Sequence, residues 1–226
     1  MRTALWIVMA LNIAGSLSAD EDWRQFRGPT GEGHTSAKHL PLTWNENRKI
    51  VWKTAVHDRG WSSPVVCGNQ IWTTAATADG HKLFAVCVDR ETGKNVHDLH
   101  VFDVERPQPI APEDTYATPT PAIEPGRVYV HYGTYGTACL EAKTGEVVLK
   151  NRLEGKYSAS PIHAGNRSYF FNENAVCTVI RPGRMFEALA VNRLNEQPLM
   201  ASPAVAGDSF FIRTEKHLYR VEETTK

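Results

Sequence analysis

Four times along this 226-residue chain, a Ser- or Thr-containing segment ends in proline and runs into a short β-prone stretch. The copies read Ser62-Ser63-Pro64-Val65-Val66, Thr118-Pro119-Thr120-Pro121-Ala122, Ser158-Ala159-Ser160-Pro161-Ile162 and Ala201-Ser202-Pro203-Ala204-Val205. Pro121 and Pro161 stand 40 residues apart, Pro161 and Pro203 stand 42 apart, and Pro64 precedes Pro121 by 57. A period near 40 built from short β segments is the size of one four-stranded propeller blade. One such blade cannot bury both of its faces alone, so the repeat commits the chain to an assembled ring or arc.

Each repeat carries the same internal grammar. The proline-bearing segment is the innermost strand, and a Gly-led hairpin turn follows it: Gly68-Asn69, Gly126-Arg127, Gly165-Asn166 and Gly207-Asp208. Glycine there supplies the positive φ that a tight hairpin needs. Branched and aromatic runs at 70–75, 127–132, 168–172 and 209–214 suit a second, half-buried strand. A third strand, as in Leu83 to Val88 and Gly136 to Leu140, runs into Asp89-Arg90-Glu91-Thr92-Gly93-Lys94 or Glu141-Ala142-Lys143-Thr144-Gly145-Glu146, after which an outer strand begins. The last repeat ends at Tyr219-Arg220-Val221-Glu222, after its third strand, while an orphan strand, Ile50 to Val56, precedes the first. Unpaired edges are costly, so the orphan is expected to pair with the last blade as its outer strand and fasten the ring.

The Asp-x-x-Thr-Gly-Lys/Glu turn beside Ser-Pro inner strands resembles the repeats of PQQ-like (quinoprotein alcohol dehydrogenase-like) β-propellers. Asp22-Trp23-Arg24-Gln25-Phe26-Arg27-Gly28-Pro29-Thr30-Gly31-Glu32-Gly33 is similar to the opening of exported proteins of that kind. The resemblance implies an all-β fold, a propeller of four-stranded blades. Rings in this group usually hold about seven or eight blades, whereas this chain shows about four, a partial or reduced ring. The expected organisation is a signal peptide over 1–19, a docking arm over 20–49 and blades over 50–226.

Two departures from the family pattern stand out. The outer strand of such blades commonly carries a Trp four residues after the turn glycine, docking one blade on the next. Here His97 and Leu149 hold those positions, and Trp52 in the orphan strand alone looks conventional. The run Lys150 to Tyr157 also reads like the end of an early blade spliced to a late one. Three arrangements follow: a tight four-bladed ring, an open arc with exposed apolar faces, or two chains joined as one eight-bladed homodimer.

Lys+Arg and Asp+Glu both number 25. The zero balance removes the electrostatic footprint expected of a nucleic-acid binder. At the N-terminus, Arg2, the apolar run Ala4 to Ala14 and the small residues Ser16-Leu17-Ser18-Ala19 have the order of a secretory leader. The expected location is therefore extracytoplasmic, periplasmic or secreted, with no membrane span. Cys67, Cys87, Cys139 and Cys177 are read as thiols rather than as a disulfide framework, because Cys87 and Cys139 sit at equivalent positions of neighbouring blades. Sheets stack ~10 Å apart, too far for a disulfide, whose Cα atoms must lie within about 7 Å.

A quinoprotein dehydrogenase, as the resemblance describes it, holds PQQ over the ring axis with calcium, using adjacent cysteines, a stacking Trp and Glu, Asn and Asp ligands. This chain has no adjacent cysteine pair and no matching ligand cluster. His97 and His100 are three apart on an expected strand, where they point to opposite faces, so no metal site is expected. No catalytic residue is identified. Asn166-Arg167-Ser168 matches a glycosylation sequon but serves a hairpin turn. The long connection Asp98 to Thr115 is a candidate partner-contacting loop. Trp61, Tyr116 and Tyr157 each shortly precede an inner strand and are the candidate ligand-contacting residues at the axial mouth. The expected function is a non-catalytic binding or scaffold module for protein or peptide partners, without cofactor. A PQQ-dependent oxidoreductase and a truncated product without independent function are the alternatives.

Overall fold

The computed structural model describes residues 22–183, 185–195 and 197–223. The expected leader lies outside them. Each proline-led repeat becomes one antiparallel sheet whose strands run from the centre outward in chain order. Blade 1 is β1 (Val65–Cys67), β2 (Gln70–Ala76), β3 (Lys82–Asp89) and β4 (Asn95–Asp103). Blade 2 is β5 (Ala122–Glu124), β6 (Arg127–His131), β7 (Thr137–Glu141) and β8 (Val147–Asn151). Blade 3 is β9 (Ile162–Ala164), β10 (Arg167–Phe171), β11 (Val176–Ile180) and β12 (Ala188–Arg193). Blade 4 has three strands, β13 (Ala204–Ala206), β14 (Ser209–Arg213) and β15 (Leu218–Glu222). The expected all-β, four-bladed partial propeller is what the chain forms.

The inner hairpins turn on Gly68, Gly165 and Gly207, each at φ +56°, a conformation in which a Cβ is strained. In the turn before β4, the Asp89 carboxylate accepts the Thr92 N–H and hydroxyl, both at 2.7 Å, and Glu141 accepts the Thr144 N–H at 2.7 Å before β8. The Asp/Glu-x-x-Thr-Gly signature is thus a side-chain-closed turn.

Blades stack through apolar faces. Val65, Trp72, Leu83 and Val101 of blade 1 meet Ile123, Val130 and Leu140 of blade 2 in one buried core, each aliphatic contributing roughly 1.5–3 kcal/mol. Ile162, Phe171 and Val179 of blade 3 share a second core with Ile212 of blade 4 and Leu199. Blades 2 and 3 meet over a smaller patch. There Tyr157 and Phe170 stand edge-on to the fully buried His131, at 4.5 and 5.5 Å.

Two expectations are corrected. Residues 50–56 do not pair with blade 4. They carry no strand pairing and lie on blade 1, where Trp52 Nε1–H donates to the Arg90 carbonyl at 2.9 Å and the Thr54 hydroxyl bonds the Gly93 carbonyl. The cause is curvature, since blade 4 stands at the other end of the arc. The connection 98–115 is also shorter than expected, because β4 extends to Asp103 and buries Val101.

The four cysteines are free thiols. Burial pushes Cys87 and Cys177 up to about 12 and Cys139 up to about 11. No helix among the described residues is long and apolar enough to cross a membrane.

Candidate functional site

The residue before each inner-strand proline is held extended by that proline, which aims its amide and hydroxyl along the inner rim. Ser63 N–H donates to Thr120 Oγ1 at 3.0 Å, Thr120 N–H to Ser160 Oγ at 3.1 Å, and Ser160 N–H to Ser202 Oγ at 2.9 Å. One Ser/Thr-Pro repeat therefore fastens itself to the next through a chain of amide-to-hydroxyl bonds. This is the physical reason that the repeat carries a hydroxyl beside its proline.

The N-terminal arm crosses the inner edges one blade at a time. Val66 N–H donates to the Trp23 carbonyl at 2.7 Å and Ile123 N–H to the Arg24 carbonyl at 2.8 Å. His163 N–H then reaches Gln25 Oε1 at 3.2 Å. Gly28, at φ +79°, lets the arm fold back beneath the Trp23 ring, which an added Cβ would meet at 2.6 Å. Asp22 anchors the start by accepting the Gly68 N–H and the Arg24 guanidinium. Burial would raise its pKa, but those bonds outweigh it and hold the carboxyl below its usual range.

PQQ with calcium would need a donor set at the axis. The inner edges of blades 1 to 3 are instead engaged by the arm. Among the described residues, no three His, Cys, Asp or Glu side chains converge on one point. Calcium takes six to eight oxygens, and these residues do not fit it or its quinone. His97 and His100 occupy opposite faces of β4: His97 stacks on Trp72 at 5.6 Å, and His100 packs on Phe84 at 5.3 Å.

The three candidate aromatics do not come together. Trp61 is 56% exposed and is tied at its N–H to the Ala117 carbonyl. The Tyr116 hydroxyl donates to the Gln108 carbonyl at 2.8 Å, and its ring packs against Tyr135, so it fastens the 104–121 connection. Tyr157 is buried in the seam between blades 2 and 3, with its hydroxyl on the Glu154 carbonyl and burial pushing its pKa up to about 12. Of these three, Trp61 alone is largely exposed to solvent.

A concavity lies where blades 2 and 3 diverge toward their outer strands. It is a cleft of about 820 Å³ between residues 151–155 of blade 2 and the β11–β12 face of blade 3. Asn172 shapes one end, donating to the Glu154 carbonyl and accepting the Val176 N–H, with Gly155 at φ +99° close against it. Val176, Val191 and Phe186 supply apolar wall. Arg193, Asn195 and Gln197 face the cleft. Sequence reasoning missed these residues, because Asn195 and Gln197 lie in a loop outside the repeat's grammar.

His131 defines the inner end of this seam. Its Nδ1 lies 2.7 Å from the Thr137 hydroxyl, whereas Nε2 is buried without a partner. Burial pushes its pKa down to about 3, so the ring is neutral. Beside it the His163 ring stacks on Tyr129 and reaches Glu124 at 3.3 Å.

Comparison with known proteins follows the fold. The PQQ_2 family model, described as outer membrane protein assembly factor BamB, matches residues 36–226. The crystal structure of BamB from Moraxella catarrhalis aligns with a TM-score of 0.50 at 13% identity, over 68% of this chain and 40% of that one. The computationally designed Ika8 protein aligns with a TM-score of 0.52 at 12% identity, over 71% of this chain and 45% of that one. The chain thus spans less than half of either structure, and the likeness is one of fold. No curated protein sequence is similar enough to count as a relative.

Proposed function

This chain belongs to the PQQ_2 family, described as outer membrane protein assembly factor BamB, and we propose that it works outside the cytoplasm as a non-catalytic module binding protein or peptide partners. The observation that carries this reading is the cleft between blades 2 and 3. It combines apolar wall at Val176, Val191 and Phe186 with hydrogen-bonding groups at Arg193, Asn195 and Gln197. Amide and guanidinium groups over an apolar floor suit an extended polypeptide, whose main chain offers alternating donors and acceptors and whose side chains enter the floor. A role in assembly, as in the family's description, is one of holding polypeptides rather than transforming them. The leader-like order of residues 1–19 supports the extracytoplasmic location.

The test is fluorescence anisotropy with a library of labelled extended peptides. Binding is expected, and Val191→Glu, which sets a carboxylate on the apolar wall, should weaken it at least about tenfold. The exposed-turn variant Lys143→Glu should leave it unchanged. Absence of peptide binding, or binding indifferent to Val191→Glu, would overturn the proposal.

A further inference from the structure

The arc ends in three unfinished features. Among the described residues blade 4 has three strands where blades 1 to 3 have four, and the outer edge of β15 pairs with none of them. Blade 3 records the same gap. Asn192 and Ala190 of β12 pair with Cys177 and Val179, which pack toward blade 4, yet both are exposed. Val221 of β15, on the face toward blade 3 with its partner Phe210, is 41% exposed.

At the opposite end, residues 50–56 sit where an outer strand belongs. The comparison with β4 makes this concrete. His97 of β4 lies over Gly145, the turn glycine of the next blade, at 3.0 Å from an added Cβ. Trp52 lies over Gly93, the equivalent glycine of blade 1, at 2.6 Å from an added Cβ. Trp52 therefore stands to blade 1 as the outermost strand of blade 1 stands to blade 2. The segment alternates as a strand does: Trp52 and Thr54 are partly covered by blade 1, while Val51, Lys53 and Ala55 face outward, Val51 at 90% exposure. No other strand of a preceding blade lies beside it among the described residues.

The inner rim is open at the same two ends. Ser202 accepts from Ser160 but its own N–H donates to no described residue, and Ser63 donates to Thr120 but its hydroxyl accepts from none. No core cluster or hydrogen bond among the described residues joins blade 4 to blade 1.

We propose that a second copy of this chain closes all three. Residues 50–56 of one copy become the fourth strand of the partner's blade 4, pairing along β15. Val51 and Ala55 then cover Ala190, Asn192 and Val221, while Trp52 stays on its own Gly93. Ser202 N–H of one copy donates to Ser63 Oγ of the other, continuing the rim bond already made three times. Each end lacks what the other end supplies, so the fitting occupant is this same chain. Two such head-to-tail joints related by a two-fold axis close eight blades into one ring.

Light scattering on the purified protein over a dilution series tests this, with Val51→Asp as the variant. Val51 makes so little contact within the chain that the variant should keep its circular dichroism and melting in dilute solution. The wild type should show twice the chain mass. A carboxylate in each of two joints should weaken association about tenfold per joint, roughly a hundredfold together. A single-chain mass at every concentration would overturn the proposal, whether the ends are then free or covered by another protein. So would a dimer that Val51→Asp leaves unchanged, or a ladder of larger oligomers in place of a closed pair.

Discussion

Replacing Thr120 with valine removes one link of the inner rim and leaves its shape in place. Thr120 is 2% exposed, and its hydroxyl accepts the Ser63 N–H at 3.0 Å in partly buried surroundings. Valine keeps the β-branched outline, and the extended backbone before Pro121 suits it, so no cavity opens. The lost energy is that of a donor left unsatisfied, about 1–3 kcal/mol when fully buried. Ser63 is only partly buried, so about 1–2 kcal/mol is expected. For a domain of this size, 1 kcal/mol moves the melting temperature by roughly 2–4 °C. Thr120→Val should therefore melt about 3–6 °C lower by calorimetry, compared at one protein concentration because association would otherwise shift the midpoint. Ser160→Ala should cost a similar amount, since it takes the acceptor from the Thr120 N–H. If both variants melt within a degree of the parent, the rim bonds do not hold the blades together.

Two further outcomes follow from the same geometry. Trp52→Ala should cost about 2 kcal/mol in urea denaturation, because the half-buried ring loses its contact with Gly93 and its bond to the Arg90 carbonyl; an unchanged midpoint would refute the docking. His131 is buried and neutral, its pKa depressed from 6.5 to about 3, so the stability it permits is complete above 6.5 and is lost as pH falls toward 3. The fall in melting temperature between about pH 7 and about pH 4 should be smaller in His131→Phe than in the parent, and equal falls would contradict the assignment.

The blades were legible in the sequence because their signals are local. A proline fixes one backbone angle, Gly68 and its equivalents fix a turn, and Asp89 with Thr92 closes another. What the sequence left unread depends on how whole sheets face one another. His97 reads as the absence of a docking Trp, yet its imidazole lies between Trp72 and Gly145 and fills that docking place. Trp61, Tyr116 and Tyr157 share one position relative to an inner strand, but their fates differ with the neighbouring blade: Tyr157 alone meets His131 and Phe170 and is buried. The cleft arises where β8 and β12 diverge, and no residue pattern within either strand encodes that spacing. The partner of residues 50–56 is likewise a matter of curvature, which short-range patterns do not carry.

A crystal structure of the purified protein tests the account's central claim most directly: that four radial sheets are fastened in sequence through the hydroxyl before each inner proline. The account predicts Ser63 N, Thr120 N and Ser160 N each about 3 Å from the hydroxyl of the following repeat. Two sheets packed face to face, or blades whose inner prolines meet without those three bonds, would contradict it.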